Sequence, residues 1–273
     1  MRILVTNDDG IDSVGLHVLA RAMTQHGDVV VLAPDREFSG ASAAVGALHL
    51  LQPEVHRTQV DGVPEAWTLN GPPALCVLFA RLGLLGTFDL VVSGINPGAN
   101  VGRSVYHSGT IGAVLTGRLG GMTGVAVSQA VTGWGVEGQG WDDMIKGQRW
   151  EVAAEVASAV VAEVVANPPV EPLAINVNVP NLPMDEIVGW RRATVATGIP
   201  RSMASATMEP KEGHAGAYYV RMSYGDPVEL PIETDGGAVE AGEVAITFLS
   251  RLEGLDLPGQ TAAERGLERL FSR

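Results

Sequence analysis

Two adjacent carboxylates stand near the start of the chain, directly after a short apolar run. Asp8 and Asp9 follow residues 3–5 (Ile-Leu-Val) and precede Gly10. Neighbouring carboxylates repel each other, and a bound divalent cation relieves that repulsion, since oxygen ligands suit Mg²⁺, Mn²⁺ or Ca²⁺. The run Asn-Asp-Asp-Gly also favours a solvated turn. A metal site and a plain turn are therefore the two interpretations of this segment.

Oxygen-rich and glycine-rich segments follow two further apolar runs. Residues 29–34 lead to Ser39 and Gly40, a small hydroxyl side chain beside a glycine that can reach a metal ion or a phosphate. Residues 88–93 lead to Asn96, whose side-chain carbonyl suits a hard cation. The alternatives are an ordinary turn after the first run and a flexible loop after the second.

A third group of small polar residues precedes a predicted helix over residues 109–119. Ser108, Gly109 and Thr110 stand at its start, where backbone N–H groups and the helix dipole attract a phosphate. Ser108 is equally suited to be the N-cap of the helix. His107 beside them is a candidate proton donor to a leaving oxygen, or a structural hydrogen-bond partner.

The elements that must position these residues alternate between strand and helix. Apolar runs predict the strands, and apolar positions at helical spacing predict the helices between them. The predicted strands cover residues 3–5, 29–34, 88–93, 125–128, 173–179, 217–222 and 243–249, with shorter ones within 47–70. The predicted helices cover residues 14–26, 72–83, 109–119, 150–166 and 260–272. Such alternation is typical of a mostly parallel sheet, whose ligand crevice lies beyond the carboxyl ends of the strands.

The fold class expected is α/β, with a Rossmann-like, mostly parallel core and a smaller β-rich C-terminal part. We place the catalytic core at residues 1–185 and the C-terminal β-hairpin and helix region at residues 186–273, because the pattern changes there to short strands. Residues 131–149 are rich in glycine and predict a surface insertion. Residues 195–216 predict a long polar loop, either a lid or exchange arm or a simple surface loop.

Composition excludes several classes of function. The net charge of −13 and the lack of a basic run argue against stable nucleic-acid binding. No apolar stretch is long enough for a transmembrane helix, and the apolar run at the start is too short for a signal peptide. The single cysteine, Cys76, suits a reducing compartment. We therefore expect a cytoplasmic protein with no membrane partner.

Four segments, in this order, together resemble the SurE family of survival-protein nucleotidases. They are residues 2–10, 33–42, 92–102 and 108–113, and weaker similarity occurs at residues 176–180 and 234–247. His107 stands where that family usually has tyrosine, and Thr116 where it usually has glutamate. Residues 71–76 match the family's corresponding stretch only in part.

The resemblance implies a metal-dependent phosphatase that hydrolyses nucleoside 5′- and 3′-monophosphates, uses one divalent ion (Mg²⁺ or Mn²⁺), and forms a homodimer or homotetramer through its C-terminal part. The residues that it implies as metal ligands are Asp8, Asp9, Ser39 and Asn96. Those implied for the phosphate are Ser39, Gly40, Ser104, Ser108, Gly109 and Thr110. The catalytic residues implied are Asp8, Asp9, Asn96, Ser108 and Thr110.

Three other functions are weighed against this one. A receiver domain needs a phosphate-accepting aspartate at the end of a later strand, where Ser93 and Asn96 stand here. A dinucleotide-binding oxidoreductase needs a Gly-x-Gly-x-x-Gly run after the first strand, where carboxylates stand instead. A protein that binds metal and nucleotide without turnover shares all four segments, so the sequence leaves that alternative open.

Overall fold

The computed structural model describes residues 1–46, 48, 52–132, 141–198, 203–250, 252, 254 and 256–272. In chain order the elements are β1 (Arg2–Thr6), α1 (Val14–Met23), β2 (Asp28–Pro34), β3 (Val55–Thr58), β4 (Glu65–Leu69), α2 (Pro73–Arg81), β5 (Leu90–Pro97), α3 (Gly109–Leu119), β6 (Thr123–Gln129), α4 (Trp141–Met144), α5 (Trp150–Ala166), β7 (Ala174–Val179), β8 (Gly189–Arg192), β9 (Met203–Pro210), β10 (Tyr218–Tyr224), α6 (Asp235–Glu240), β11 (Glu243–Leu249) and α7 (Ala262–Phe271). Short 3₁₀ helices cover Gly102–Tyr106 and Met184–Glu186.

The central sheet has nine strands in the order β3-β4-β2-β1-β5-β6-β7-β11-β8. Strands β4, β2, β1, β5, β6 and β7 run parallel, while β3 and β11 pair antiparallel with β4 and β7. The strands that follow β1 are added first on one side of it, beginning with β2, and then on the other side, beginning with β5. β1 and β5 are therefore neighbours in the middle of the sheet. The carboxyl ends of β1, β2, β5 and β6 therefore meet at one edge, as the alternating pattern predicted.

Helices cover both faces of this sheet, which explains why its strands are nearly continuous apolar runs. Successive β1 residues point to opposite faces: Ile3 and Val5 pack in one core cluster and Leu4 in the other. The first cluster is closed by α1 and α5, and the second by α2 and α3. The α/β fold class is confirmed.

Strand β5 differs from its predicted extent in a way that matters for the site. The prediction ends at residue 93, whereas β5 continues to Pro97, with a register shift against β6 between Ser93 and Asn96. Asn96 therefore belongs to a strand and not to a loop after it. Its pairing with Ser128 on β6 fixes its backbone.

The C-terminal third contributes two strands to the central sheet and also forms elements outside it. β8 and β11 lie in the nine-stranded sheet, so the core extends beyond the boundary predicted at residue 185. β9 and β10 form a separate antiparallel hairpin in which every residue is exposed, and α7 has no buried residue. The polar loop predicted at residues 195–216 therefore contains strand β9, although residues 199–202 lie outside the described part. Within the insertion predicted at residues 131–149, the described residues include α4, and residues 133–140 are not described.

A membrane span was not expected, and in the described part of the chain no helix is both long and apolar enough to form one.

Candidate active site

A cavity of about 950 Å³ lies at the carboxyl edge of the sheet. It is bounded by the segments after β1, β2, β5 and β6, by the N-terminus of α3, and by parts of α4, β10 and α6. The predicted site residues that line it are Asp8, Asp9, Ser39, Gly40, Asn96, Ser104 and Ser108. The four sequence segments thus converge on one cavity.

Asp8 is the most tightly held of these residues. Its side chain is buried, its Oδ1 accepts a hydrogen bond of 2.6 Å from the Thr110 hydroxyl, and its Oδ2 accepts one of 3.0 Å from the Gly109 N–H. Burial raises the pKa of Asp8, and the bonds from Thr110 and Gly109 act in the opposite direction. A carboxylate fixed at both oxygens is a pre-oriented ligand or anchor.

Gly109 is required by this close approach. A Cβ atom at that position would lie 2.8 Å from Asp8 Oδ2 and 2.7 Å from Asp8 Cβ. Real Cβ atoms do not approach other atoms so closely, so any larger residue would displace the N-terminus of α3 or Asp8. The glycine therefore lets the positive end of the helix dipole sit directly against a carboxylate.

Asp9 lies beside Asp8 but is held differently. Its Oδ2 is buried and has no hydrogen-bond partner among the described residues. Burial, together with the charges of Asp8 and Glu37, raises the pKa of Asp9 to about 8. An unpaired buried carboxylate oxygen costs free energy unless a proton or a cation satisfies it.

The segment after β2 folds back over the carboxylate pair. The Phe38 N–H donates to the Asp8 carbonyl at 2.7 Å, and the Ser42 N–H donates to the His107 carbonyl at 3.1 Å. These bonds tie the segment to β1 on one side and to the start of α3 on the other. Ser39 and Gly40, between the two bonds, are exposed to the cavity.

Asn96 presents its amide with a fixed orientation. Its Nδ2 donates to the Gly98 carbonyl at 2.7 Å, which leaves Oδ1 as the side-chain atom available to a ligand. The chain beyond it is held through Asn100, whose N–H donates to Asn178 Oδ1 at 2.7 Å and whose carbonyl accepts from Asn176 Nδ2 at 2.9 Å. The weak similarity noted at residues 176–180 therefore corresponds to a buried amide network that supports the segment carrying Asn96.

Asp235 fixes the far end of the same segment. This fully buried carboxylate accepts the Gly102 N–H at 3.1 Å and the Ala196 N–H at 3.0 Å. Burial raises its pKa, and the backbone hydrogen bonds lower it. Asp235 thus joins the 3₁₀ helix that carries Ser104 to the segment after β8. In the sequence, only the weak similarity at residues 234–247 pointed to Asp235.

The N-terminus of α3 is arranged differently from the predicted phosphate cradle. Ser108 is its N-cap, accepting the Ile111 N–H at 3.1 Å, and also lines the cavity. The Gly109 N–H and the hydroxyl of the fully buried Thr110 are directed at Asp8. Of the three residues, Ser108 faces the cavity and the other two position the carboxylate. Ser104 and His107 also line the cavity, and the Ser104 hydroxyl donates to the Val101 carbonyl at 2.6 Å.

Several lining residues were not identified from the sequence. Glu37 lies within the segment of residues 33–42 but was given no role there, and others come from distant parts of the chain: Val131, Met144, Tyr224, Val239 and Glu240. Nothing in their local sequence marks them, because only the tertiary fold brings β10 and α6 to the cavity.

The charge of the lining is strongly unbalanced. The described lining residues include four carboxylates, Asp8, Asp9, Glu37 and Glu240, and neither lysine nor arginine, so His107 is their one basic side chain. No group of three or more His, Cys, Asp or Glu side chains suited to hold a metal ion occurs in the described part of the chain. A cation at this site would therefore need amide and hydroxyl oxygens in addition to the Asp8 and Asp9 pair.

Comparison with known proteins gives one consistent result. Residues 3–201 match the family model described as Survival protein SurE. The chain is 35% identical over 249 residues to the 5′-nucleotidase SurE of Legionella pneumophila subsp. pneumophila strain Philadelphia 1, covering 91% of this chain and 90% of that one. It is 34% identical to the 5′-nucleotidase SurE of Xanthomonas axonopodis pv. citri strain 306, covering 97% and 99%. The crystal structure of the SurE protein from Aquifex aeolicus superposes with a TM-score of 0.73 at 27% identity, covering 99% of both chains. The family predicted from four short segments is confirmed over most of the chain, which belongs to the SurE family.

Proposed function

We propose that the protein is a phosphoric monoester hydrolase that converts nucleoside monophosphates to nucleoside and phosphate, with a divalent cation bound at Asp8 and Asp9. The observation that carries this proposal is the carboxylate pair at one wall of a large cavity on the carboxyl edge of the sheet, in which Asp8 is fixed at both oxygens and Asp9 Oδ2 has no hydrogen-bond partner among the described residues. Two of the relatives named above are 5′-nucleotidases, and we propose that both 5′- and 3′-monophosphates are substrates.

The residues present fit one hard divalent cation. Asp9 Oδ2 is buried without a hydrogen-bond partner, and Asn96 is oriented so that its Oδ1 stays available. Asp8 keeps spare lone pairs on both oxygens, and Ser39 adds a hydroxyl at the same wall. Carboxylate, amide and hydroxyl oxygens are ligands typical of Mg²⁺ and Mn²⁺. We assign Asp8, Asp9, Ser39 and Asn96 to this ion.

When bound, the cation supplies Lewis-acid polarisation of the phosphoryl oxygen. The chain's own groups do the rest. Asp8, held by Gly109 and Thr110, keeps the reacting centre in place, and one of the two carboxylates takes the proton of the attacking water.

Small polar groups around the carboxylate pair bind the phosphate in this proposal. Ser104, Ser108 and the Gly40 backbone line the cavity, and hydroxyls with backbone amides stabilise charge that develops on a transferring phosphoryl group. His107 is the one basic side chain of the described lining, and we assign it to protonation of the leaving nucleoside oxygen.

The C-terminal elements support an oligomer. Exposed apolar side chains cover the β9–β10 hairpin and the α7 helix, among them Met208, Val220, Met222, Leu267 and Phe271. We propose that residues 186–273 assemble the chain into a homodimer or homotetramer, to be tested by light scattering of the purified protein. The cytoplasmic location stays a prediction that rests on the single cysteine.

The proposed function is tested by phosphate release from a panel of nucleoside 5′- and 3′-monophosphates in the presence of Mg²⁺, Mn²⁺ or EDTA. Asp8→Ala and Asp9→Ala should each abolish metal-dependent turnover. Asp12→Ala is the matched control, because Asp12 is an exposed carboxylate of the same segment. Turnover that survives EDTA, or that both site variants retain, would contradict the proposal. Binding of nucleotide and metal by a folded protein without turnover would instead support the binding-protein alternative, which no observation on the described residues favours.

A further inference from the structure

The part of the cavity lining contributed by α4, β10 and α6 has a different character from the carboxylate wall. Its members are Met144, Tyr224, Gly236, Val239 and Glu240, which are apolar or aromatic apart from the one acidic group. Glu240 lies at the end of α6, directly before β11, whose first residues pair with the carboxyl end of β7. Strand β11 is four positions from β1 in the sheet. At about 4.8 Å per strand, the axes of β1 and β11 are about 19 Å apart.

Tyr224 is directed into the cavity by an irregularity in its strand. The pairing of β10 with β9 shifts register between Ser223 and Tyr224, so that Tyr224 stands opposite Met203. Such shifts re-aim a side chain out of strict alternation. Tyr224 lines the same cavity as Met144 and Val239, and an exposed aromatic ring in a cavity is a surface on which a planar heterocycle stacks.

Glu240 is the hydrogen-bonding group of this region. Its side chain is exposed and lines the cavity. Partial burial raises its pKa, the N–H of Leu230 lowers it, and the charge of Glu229 raises it. The remaining lone pairs of the carboxylate accept hydrogen bonds and have nothing to donate.

A carboxylate beside a stacking surface distinguishes the nucleobases by their donors. Guanine presents two adjacent donors, N1–H and the 2-amino group, which match the two oxygens of a carboxylate. Adenine and cytosine place an acceptor nitrogen next to their amino group, and uracil flanks its single N–H with two carbonyl oxygens. Facing an acceptor-only side chain, these three bases bring a lone pair against the carboxylate.

We propose that Tyr224 and Glu240 form the base subsite of the enzyme and that Glu240 selects guanine, with Tyr224 stacking on the ring. This inference rests on the proposed function, since it concerns the base of the nucleotide whose phosphate lies at Asp8 and Asp9. It assigns specificity to side chains that take no part in the reaction itself.

The test compares kcat/KM for guanosine, inosine and adenosine 5′-monophosphates with that for p-nitrophenyl phosphate, which has no base. Inosine monophosphate differs from the guanosine ester by the 2-amino group alone. In the unaltered protein we expect guanosine monophosphate to be preferred by about 10-fold over the inosine ester and by about 10- to 100-fold over the adenosine ester. Ribose 5-phosphate serves as a second base-free substrate.

Glu240→Gln replaces one acceptor oxygen with a donor at nearly constant size. It should reduce kcat/KM for guanosine monophosphate by about 10- to 100-fold, leave the base-free substrates unchanged, and raise the relative rate on adenosine monophosphate, because an amide matches the donor and acceptor edge of adenine. The matched control is Glu229→Gln, which removes an exposed neighbouring charge outside the lining. Tyr224→Ala should weaken all nucleotides together, by about 10-fold, and spare the base-free substrates.

Two results would overturn the assignment: a protein without guanine preference, or a preference that Glu240→Gln leaves in place. Equal losses on p-nitrophenyl phosphate and on nucleotides would also overturn it, since they would show damage to the reaction centre. If no ester is hydrolysed at all, the proposed function fails and the base subsite is still tested by calorimetry, through the affinity ratio of guanosine to adenosine monophosphate in both proteins.

Discussion

Replacing Asp9 by asparagine should stabilise the metal-free protein at alkaline pH while abolishing its activity. In the folded protein, burial and the charges of Asp8 and Glu37 raise the pKa of Asp9 from 3.8 to about 8. Because the pKa of Asp9 is higher in the folded protein, the contribution of Asp9 to folding stability is fully present below about pH 4, where the carboxyl group is protonated in both the folded and the unfolded state. That contribution is lost as the pH rises through about 8. Asparagine carries no charge and does not lose that stability.

The size of the effect follows from the same pKa. Each unit is worth about 1.4 kcal/mol, so ionising Asp9 costs the folded state at most about 6 kcal/mol. Water reaches one side of the carboxyl and screens much of this, leaving about 2 kcal/mol. For a chain of this size that corresponds to a rise in Tm of about 4–8 °C for Asp9→Asn above pH 8, and to almost no difference near pH 4.

The assay is urea or thermal unfolding in EDTA at several pH values, at one protein concentration because assembly shifts apparent stability. Asp12→Asn provides the control, with the same chemical change at an exposed position. Added Mn²⁺ should then raise the Tm of the unaltered protein, by about 2.7 kcal/mol of binding free energy at a hundredfold excess over Kd, and should raise that of Asp9→Asn much less. A variant that is destabilised at alkaline pH, or equally affected at every pH, would refute the reasoning.

Three further outcomes test the positions around the carboxylate pair. Thr110→Val removes the buried hydroxyl that donates to Asp8 at 2.6 Å, and it should lower kcat by about 10- to 100-fold and the free energy of unfolding by about 2 kcal/mol. Thr110→Ser keeps a hydroxyl and should retain most of the activity and most of the stability. Equal behaviour of the two variants in steady-state kinetics would contradict this. His107→Phe should lower kcat on nucleoside monophosphates by about 100-fold, because their leaving oxygen needs a proton. On p-nitrophenyl phosphate, whose leaving group needs no proton, kcat should fall by only a few fold. An equal loss on both substrates would exclude the proton-donor role. Asp235→Ala leaves the Gly102 and Ala196 N–H groups unpaired. It should lower the free energy of unfolding by about 2–4 kcal/mol and raise KM. An unchanged midpoint of chemical unfolding would show that these hydrogen bonds are not needed for stability.

The sequence predicted the convergence of the site because that convergence follows from local patterns. Apolar runs ending in polar residues identify parallel strands, and in a parallel sheet with helical crossovers the strand ends meet at one edge. Asp8 and Ser39 follow elements that periodicity alone identifies, and Ser108 begins another. Asn96 lies in the part of β5 that extends beyond its predicted end. Knowledge of the sheet order was not required, because every such strand end points the same way.

The roles within the site could not be predicted in the same manner, since they depend on pairings between distant residues. Gly109 and Thr110 were expected to face a phosphate, but their donors are taken by Asp8, 101 and 102 residues earlier in the chain. Asp235 meets Gly102 across 133 residues. No period or spacing in the sequence encodes such contacts. The first depends on how α3 packs against the end of β1, and the second on how α6 returns to the sheet.

The charge balance of the cavity explains why these pairings matter. A phosphate monoester approaching four carboxylates without a lysine or arginine among the described lining residues meets net repulsion, which is strong in a partly dehydrated cavity. At Asp8 that repulsion is reduced, because hydrogen bonds from the Gly109 N–H and the Thr110 hydroxyl and the positive end of α3 stabilise the negative charge of the carboxylate. Asp9 Oδ2 has no such partner among the described residues. Under the proposed function, this unsatisfied carboxylate is the group whose charge a divalent cation neutralises, and that neutralisation lowers the repulsion met by the anionic substrate. The proposed metal binding, the proposed substrate binding and the alkaline instability predicted for Asp9 then follow from one electrostatic arrangement.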